Sequence, residues 1–102
     1  MEMAKFLMNP VRQRIFQYLL TYGTGTVKEI RRALPDVSGA SLYRHIKQMT
    51  ERSILQVVGE NRIRGTVESV YRLNQEALEL NDPEGAAVQL VLLSISAAFA
   101  LY

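Results

Sequence analysis

The spacing of apolar side chains divides the chain into helical and extended stretches. Met1 to Met8 reads as a frayed turn or short helix. From Asn9-Pro10 onward, Val11, Ile15 and Leu19, with Phe16 beside them, recur at helical spacing, while Arg12, Arg14 and Gln17 are polar. Asn as cap and Pro at the first position start this helix. Tyr22-Gly-Thr-Gly25 ends it, with Gly23 as a left-handed cap. Thr26-Val-Lys-Glu29 has the form of a capping box and opens a second helix, apolar at Val27, Ile30, Ala33 and Leu34, which Pro35 stops. Ser38 then caps a third. Its Leu42, Ile46 and Met49 follow at i, i+4 and i+7 and form one narrow stripe. Ala40, Arg44, Lys47 and Gln48 lie opposite, with Ser41 and Tyr43 on the flanks. His45 falls about 60° from the centre of the apolar stripe, which suits a half-buried, hydrogen-bonded structural residue.

After Glu51 the period changes to two. Leu55–Val58 and Thr66–Leu73 read as strands, the second alternating Val67, Ser69, Tyr71 and Leu73 with Glu68, Val70 and Arg72. Gly59 to Gly65 between them has hairpin-loop chemistry, with Arg62 and Arg64 at its tip. Two short helices joined by a tight turn, with Val37 in the angle, form a helix-turn-helix. A hairpin straight after it is a wing. Asn74–Leu80 looks like a short capped helix. Asp82-Pro83 starts a last one, and residues 86–102 carry no charge. The expected fold is therefore mostly α with a small β-hairpin. A three-helix core plus wing occupies residues 1–80, and a C-terminal apolar helix occupies 81–102.

Composition narrows the function. The 102 residues suffice for one domain with a modest core. The absence of Cys excludes disulfides and thiolate metal sites and fits a reducing cytoplasm; the single His cannot build a zinc site unaided. No cofactor or metal is expected. The net charge of +2 conceals an asymmetry: residues 1–72 hold all 12 Lys and Arg against 6 acids, and residues 73–102 hold 4 acids and no base. A basic body suits a polyanion, and an acidic then apolar tail has another task. There is no Ser-His-Asp arrangement in plausible register, no Gly-rich phosphate loop and no Cys nucleophile. Glu76 and Glu79 share a helix on which nothing converges, so an enzyme is not expected. Met1 to Pro10, broken by Glu2 and Lys5, has no signal-peptide pattern.

The order helix, helix, turn, helix, hairpin, helix resembles the winged helix-turn-helix regulators of the ArsR-like type. Asn9-Pro-Val-Arg-Gln-Arg-Ile15 resembles the Pro-x-Arg-x-x-Ile opening of their first core helix. Val37-Ser-Gly-Ala-Ser-Leu-Tyr-Arg-His-Ile46 resembles their recognition helix. Ile54–Val58, Arg64-Gly65 and Tyr71–Leu73 resemble their wing strands. The resemblance covers about residues 6–80. It implies DNA contacts at Ser38, Ala40, Ser41, Tyr43, Arg44 and Lys47 on the third helix and at Arg62 and Arg64 on the wing, and it implies a homodimer. The metal-sensing cysteines and the last-helix His of some relatives are missing, so metal sensing is not implied.

These readings combine into a cytoplasmic transcriptional regulator, a repressor, that binds double-stranded DNA. The rival readings are a winged-helix protein-interaction module whose basic face is merely solvated, and a membrane-tethered regulator. Lys28, Arg31 and Arg32 are further candidates for phosphate contact. The terminal apolar helix, with Val88, Leu92, Ile95 and Phe99 as interface residues, is favoured as a dimer helix. A membrane span normally needs about 20 apolar residues. A third reading packs it against a region beyond Tyr102, since the helix ends with neither cap nor charge.

Overall fold

The computed structural model describes residues 2–81 and Gly85. The element order is α1 (Glu2–Phe6), α2 (Pro10–Tyr22), β1 (Thr24–Thr26), α3 (Val27–Ala33), α4 (Gly39–Glu51), β2 (Leu55–Ile63), β3 (Thr66–Leu73) and α5 (Gln75–Asn81). The expected terminal helix and Val88, Leu92, Ile95 and Phe99 lie outside the described residues.

Local chemistry sets most helix starts. Asn9 accepts from the backbone amides of Val11 and Arg12 at 2.9 and 3.3 Å. Thr26 and Glu29 form the reciprocal capping box: Glu29 N donates to Thr26 Oγ1 at 3.1 Å, and Thr26 N donates to Glu29 Oε1 at 3.0 Å. Ser38 Oγ accepts from Ser41 N at 3.2 Å. Asn74 Oδ1 accepts from Ala77 N at 3.3 Å. Gly23 closes α2 with φ of 85° and donates its amide to Leu19 O.

α4 ends less obviously. Ser53 adopts φ of 61°. Ser53 N donates to Thr50 O, and Ile54 N donates to Met49 O. This is a Schellman closure with Ser where Gly is usual. It turns the chain so that Ile54 and Leu55 enter the core.

One apolar cluster ties the elements together. Leu7, Ile15, Phe16, Leu19, Ile30, Leu42, Ile46, Met49, Ile54 and Leu55 are almost completely buried. Met3 and Phe6 of α1 join them, and Leu34 and Leu73 complete the cluster. Val37, in the turn between α3 and α4, packs against it. At about 1.5–3 kcal/mol per fully buried aliphatic side chain, the Leu42–Ile46–Met49 stripe is the main force seating α4 on the body.

The sheet is larger than the expected hairpin. It has three strands in the order β1-β3-β2, all antiparallel. β1 was not foreseen: its Thr24, Gly25 and Thr26 pair with Arg72, Tyr71 and Val70. Three residues are too few to display a period, and only the long-range pairing makes them a strand. Thr26 is both the last residue of β1 and the N-cap of α3, so the helix-turn-helix and the sheet share a rigid joint.

The wing also departs from the expected loop. β2 continues to Ile63, which pairs with Thr66, and only Arg64 and Gly65 form the turn. Their φ values of 52° and 77° are those of a two-residue type I′ connection. Arg64 is therefore at the tip, while Arg62 lies on β2 opposite Val67.

Candidate nucleic-acid interface

α4 has two unlike sides. Leu42, His45, Ile46 and Met49 are buried. Ala40, Tyr43, Arg44 and Lys47 are exposed, Ser38 at the cap is exposed, and Ser41 is half-buried. Successive exposed positions at 40, 44 and 47 share one stripe of the helix. It offers a methyl group, a guanidinium and an ammonium. Among the described residues the only ion pair is Arg14–Asp36, so Arg44 and Lys47 have no carboxylate partner there.

On one flank α4 faces the sheet. Tyr43 is 57% exposed. Together with Tyr71 it borders a cleft of about 280 Å³ that reaches Thr26, Lys28, Val67 and Ser69. A second cleft of about 250 Å³ lies between the same two tyrosines and Lys47, Thr50 and Glu51. A bulge between Val57 and Gly59 decides which wing residues share this side. Val57 pairs with Tyr71 and Gly59 with Val70, leaving Val58 unmatched. The bulge shifts the alternation by one, so Arg62 comes opposite Val67 on the sheet face of Tyr71. Without it, Arg62 would point to the other face.

On the other flank α4 is clamped. Arg12 of α2 donates three hydrogen bonds: Nε to His45 Nδ1 at 3.3 Å, Nη1 to Phe6 O at 3.1 Å and Nη2 to Gln48 Oε1 at 3.0 Å. Its guanidinium carbon lies 3.9 Å from the Phe6 ring centroid, and that of Arg52 lies 4.2 Å from it. His45 is only 7% exposed. Burial, then the charges of Arg12 and Arg44, push its pKa below the usual imidazole value. A neutral ring with unprotonated Nδ1 is also what the Arg12 bond requires. Burial first, then Arg52 and Arg44, lower the pKa of Arg12 itself. His45 is thus the hydrogen-bonded structural residue its position suggested.

Arg14 makes a two-pronged ion pair with Asp36 in the turn between α3 and α4, at 2.7 and 2.9 Å. Hydrogen bonding to Arg14 holds the Asp36 carboxyl below its usual pKa. At 38% and 65% side-chain exposure the pair is screened by solvent and contributes little to stability. It does remove one base and one acid from the free surface charge.

Of the residues singled out by sequence, Ser38, Ala40, Ser41, Tyr43, Arg44 and Lys47 come together on one side of α4. Ser38 also serves as its cap. Arg62 and Arg64 are on the wing and exposed. In the sequence Arg12 stands out only as a polar position of α2. Its signal was present: Ile15, Phe16 and Leu19 lie three, four and seven residues on, so Arg12 extends the buried stripe of α2. Among the described residues, no group of three His, Asp or Glu is placed to hold a metal ion, and no helix is long and apolar enough to cross a membrane.

No curated protein matches the chain. Among solved structures, the transcriptional regulator homologue protein from Pyrococcus horikoshii OT3 is similar in fold. Its TM-score is 0.62 over 93% of this chain and 98% of that one, at 21% sequence identity. The helix-turn-helix domain family matches residues 7–58, just over half of the chain, from the buried Leu7 through α4 into β2. The chain therefore belongs to the helix-turn-helix domain family.

Proposed function

We propose that this protein is a sequence-specific, double-stranded-DNA-binding transcriptional regulator of the ArsR-like kind, acting as a homodimer and as a repressor. One observation carries the reading: the outer stripe of α4 presents exposed Ala40, Arg44 and Lys47 while the opposite stripe is buried. A helix fixed in this way fits the major groove. There a guanidinium reads the O6 and N7 of guanine, and a methyl-bearing side chain touches thymine. In this reading Ser38, Ser41 and Tyr43 meet phosphates or groove edges. In this reading Arg64 at the wing tip, with Arg62 behind it, meets a phosphate or the flanking minor groove.

The homodimer rests on the apolar, uncharged run 86–102 and on the resemblance to ArsR-like regulators. Two α4 helices about 34 Å apart would then enter successive major grooves of a near-palindromic site. The decisive experiment is selection of bound duplexes from a random pool, followed by affinity measurements across salt concentration. A recovered palindrome whose binding falls steeply with salt supports the proposal. Failure to bind any duplex at low salt refutes it and favours a protein-interaction module.

A further inference from the structure

We infer that Arg12 is a positioning residue that sets the roll of the recognition helix, so that the specificity of α4 depends on a side chain that touches no DNA. The inference rests on the DNA-binding reading above.

Apolar packing of Leu42, Ile46 and Met49 holds α4 against the body, but such packing is non-directional. The hydrogen bonds of Arg12 are directional. They join three elements: the Phe6 carbonyl at the end of α1, Arg12 on α2, and His45 and Gln48 on α4. Gln48 follows Arg44 by one turn, and His45 is its direct neighbour. Gln48 therefore sits on the flank next to the exposed stripe, and His45 lies between that flank and the buried stripe. The Phe6 ring under Arg12 and Arg52 limits sideways movement of the guanidinium.

The geometry makes a small roll costly. Helix side chains reach about 5–6 Å from the axis, so a roll of about 10° moves their ends by about 1 Å. A displacement of that size takes a base hydrogen bond from about 2.9 Å to beyond the range in which it counts as one. Phosphate contacts tolerate it better, because they are less demanding in direction and made by long flexible side chains. Losing the clamp should thus reduce discrimination between sequences much more than affinity for DNA in general.

The charges around the clamp agree with an inward, non-contacting role. Arg12 from α2 and Arg44 from α4 face His45, and Arg52 at the end of α4 faces Arg12. α1 supplies an uncharged ring and carbonyl, and its Lys5 is exposed. All three bonds of Arg12 go to protein acceptors.

The test uses the full chain, the duplex most enriched from a random pool and a scrambled duplex of equal length. Arg12→Lys keeps the charge but loses the fork; Gln48→Met removes one acceptor; Gln48→Glu keeps an acceptor. Arg12→Lys and Gln48→Met should lower the ratio of enriched to scrambled affinity by about 5- to 150-fold, the span of one lost base contact. Affinity for the scrambled duplex should stay within about twofold, and Gln48→Glu should retain the wild-type ratio. An unchanged ratio in Arg12→Lys or Gln48→Met overturns the inference. So does a loss in Gln48→Glu as large as in Gln48→Met, which would make Gln48 a DNA reader itself. If Arg12→Lys does not fold, the two Gln48 variants decide. Wild-type protein that binds no duplex overturns the DNA-binding reading as well, whereas equal ratios in a binding protein overturn only the role of Arg12.

Discussion

Replacing Arg44 by Ala separates folding from recognition. The side chain is exposed and has no ion-pair partner among the described residues. Its charge disfavours both Arg12 and a protonated His45. Arg44→Ala should therefore leave stability within about 0.5 kcal/mol of wild type, on the favourable side if anything. Binding should behave differently. A guanidinium bidentate to guanine contributes about 1–3 kcal/mol of discrimination. At about 1.4 kcal/mol per tenfold, that is a loss of roughly 5- to 150-fold on the selected duplex. A base contact leaves the salt slope on that duplex unchanged, whereas a lost phosphate contact makes it shallower by about 0.9. Fluorescence anisotropy at several salt concentrations, with urea melts alongside, reads all three quantities. Leu42→Ala is the contrasting control: Leu42 is fully buried, and its loss should cost about 2–5 kcal/mol of stability before any effect on DNA is considered. An equal loss on selected and scrambled duplexes would refute base reading by Arg44. No loss on either would remove it from the interface.

Three further outcomes are expected. Arg64→Gln at the wing tip should make the salt slope about 0.9 shallower with the sequence preference kept; an unchanged slope places the wing off the phosphates. Ser53→Gly should raise stability by up to about 1 kcal/mol in urea melts, because Ser53 closes α4 at a φ of 61° that glycine adopts without strain; a lower midpoint refutes this. His45 links stability to pH. Burial and the nearby arginines lower its folded pKa, so the unfolded chain takes up the proton first. The stabilisation is complete above the unfolded value of about 6.5 and is lost as pH falls from there through the folded pKa. Asp36, whose pKa is also lowered, acts only in the carboxylate range, well below that window. Urea midpoints should thus decline as pH falls below about 6.5, and a flat profile there would rule the linkage out.

The helix starts were legible because each depends on residues within one turn of it. Asn9, Thr26, Ser38 and Asn74 all cap as their sequence context implies. The buried stripe of α4 was legible for the same reason. What escaped the sequence depends on partners far along the chain. β1 exists only because β3 pairs with it. The sequence suggests a seven-residue wing turn because Glu60, Asn61 and Arg62 show no apolar alternation, and their strand character comes from pairing with Ser69, Glu68 and Val67. The bulge that turns Arg62 toward the α4 side is equally invisible in composition. Arg12 meets groups 33 and 36 positions away, and Arg14 meets one 22 positions away. The spacing of Arg12 from Ile15, Phe16 and Leu19 marks it as inward-facing, but nothing local names the partners of either arginine.

These pairings also redistribute the charge that first suggested a polyanion. Arg14 is matched by Asp36 and adds no net charge, while Arg12 keeps its charge but spends its donors on protein acceptors. On the wing, Arg62, Arg64 and Arg72 share the hairpin with Glu60 and Glu68. α3 and α4 together carry Lys28, Arg31, Arg32, Arg44 and Lys47 against Glu29 and Glu51, and Glu29 is occupied by the capping box. The excess positive potential therefore resides on the helix pair, and the wing is nearly neutral. Attraction to the DNA backbone should accordingly be set by α3 and α4, with the wing adding a local contact at Arg64 once the helices have docked. Because the N-cap of α3 is also the end of β1, docking of the helices in the proposed complex would fix the position of the sheet, and through it the place where Arg64 would meet the duplex.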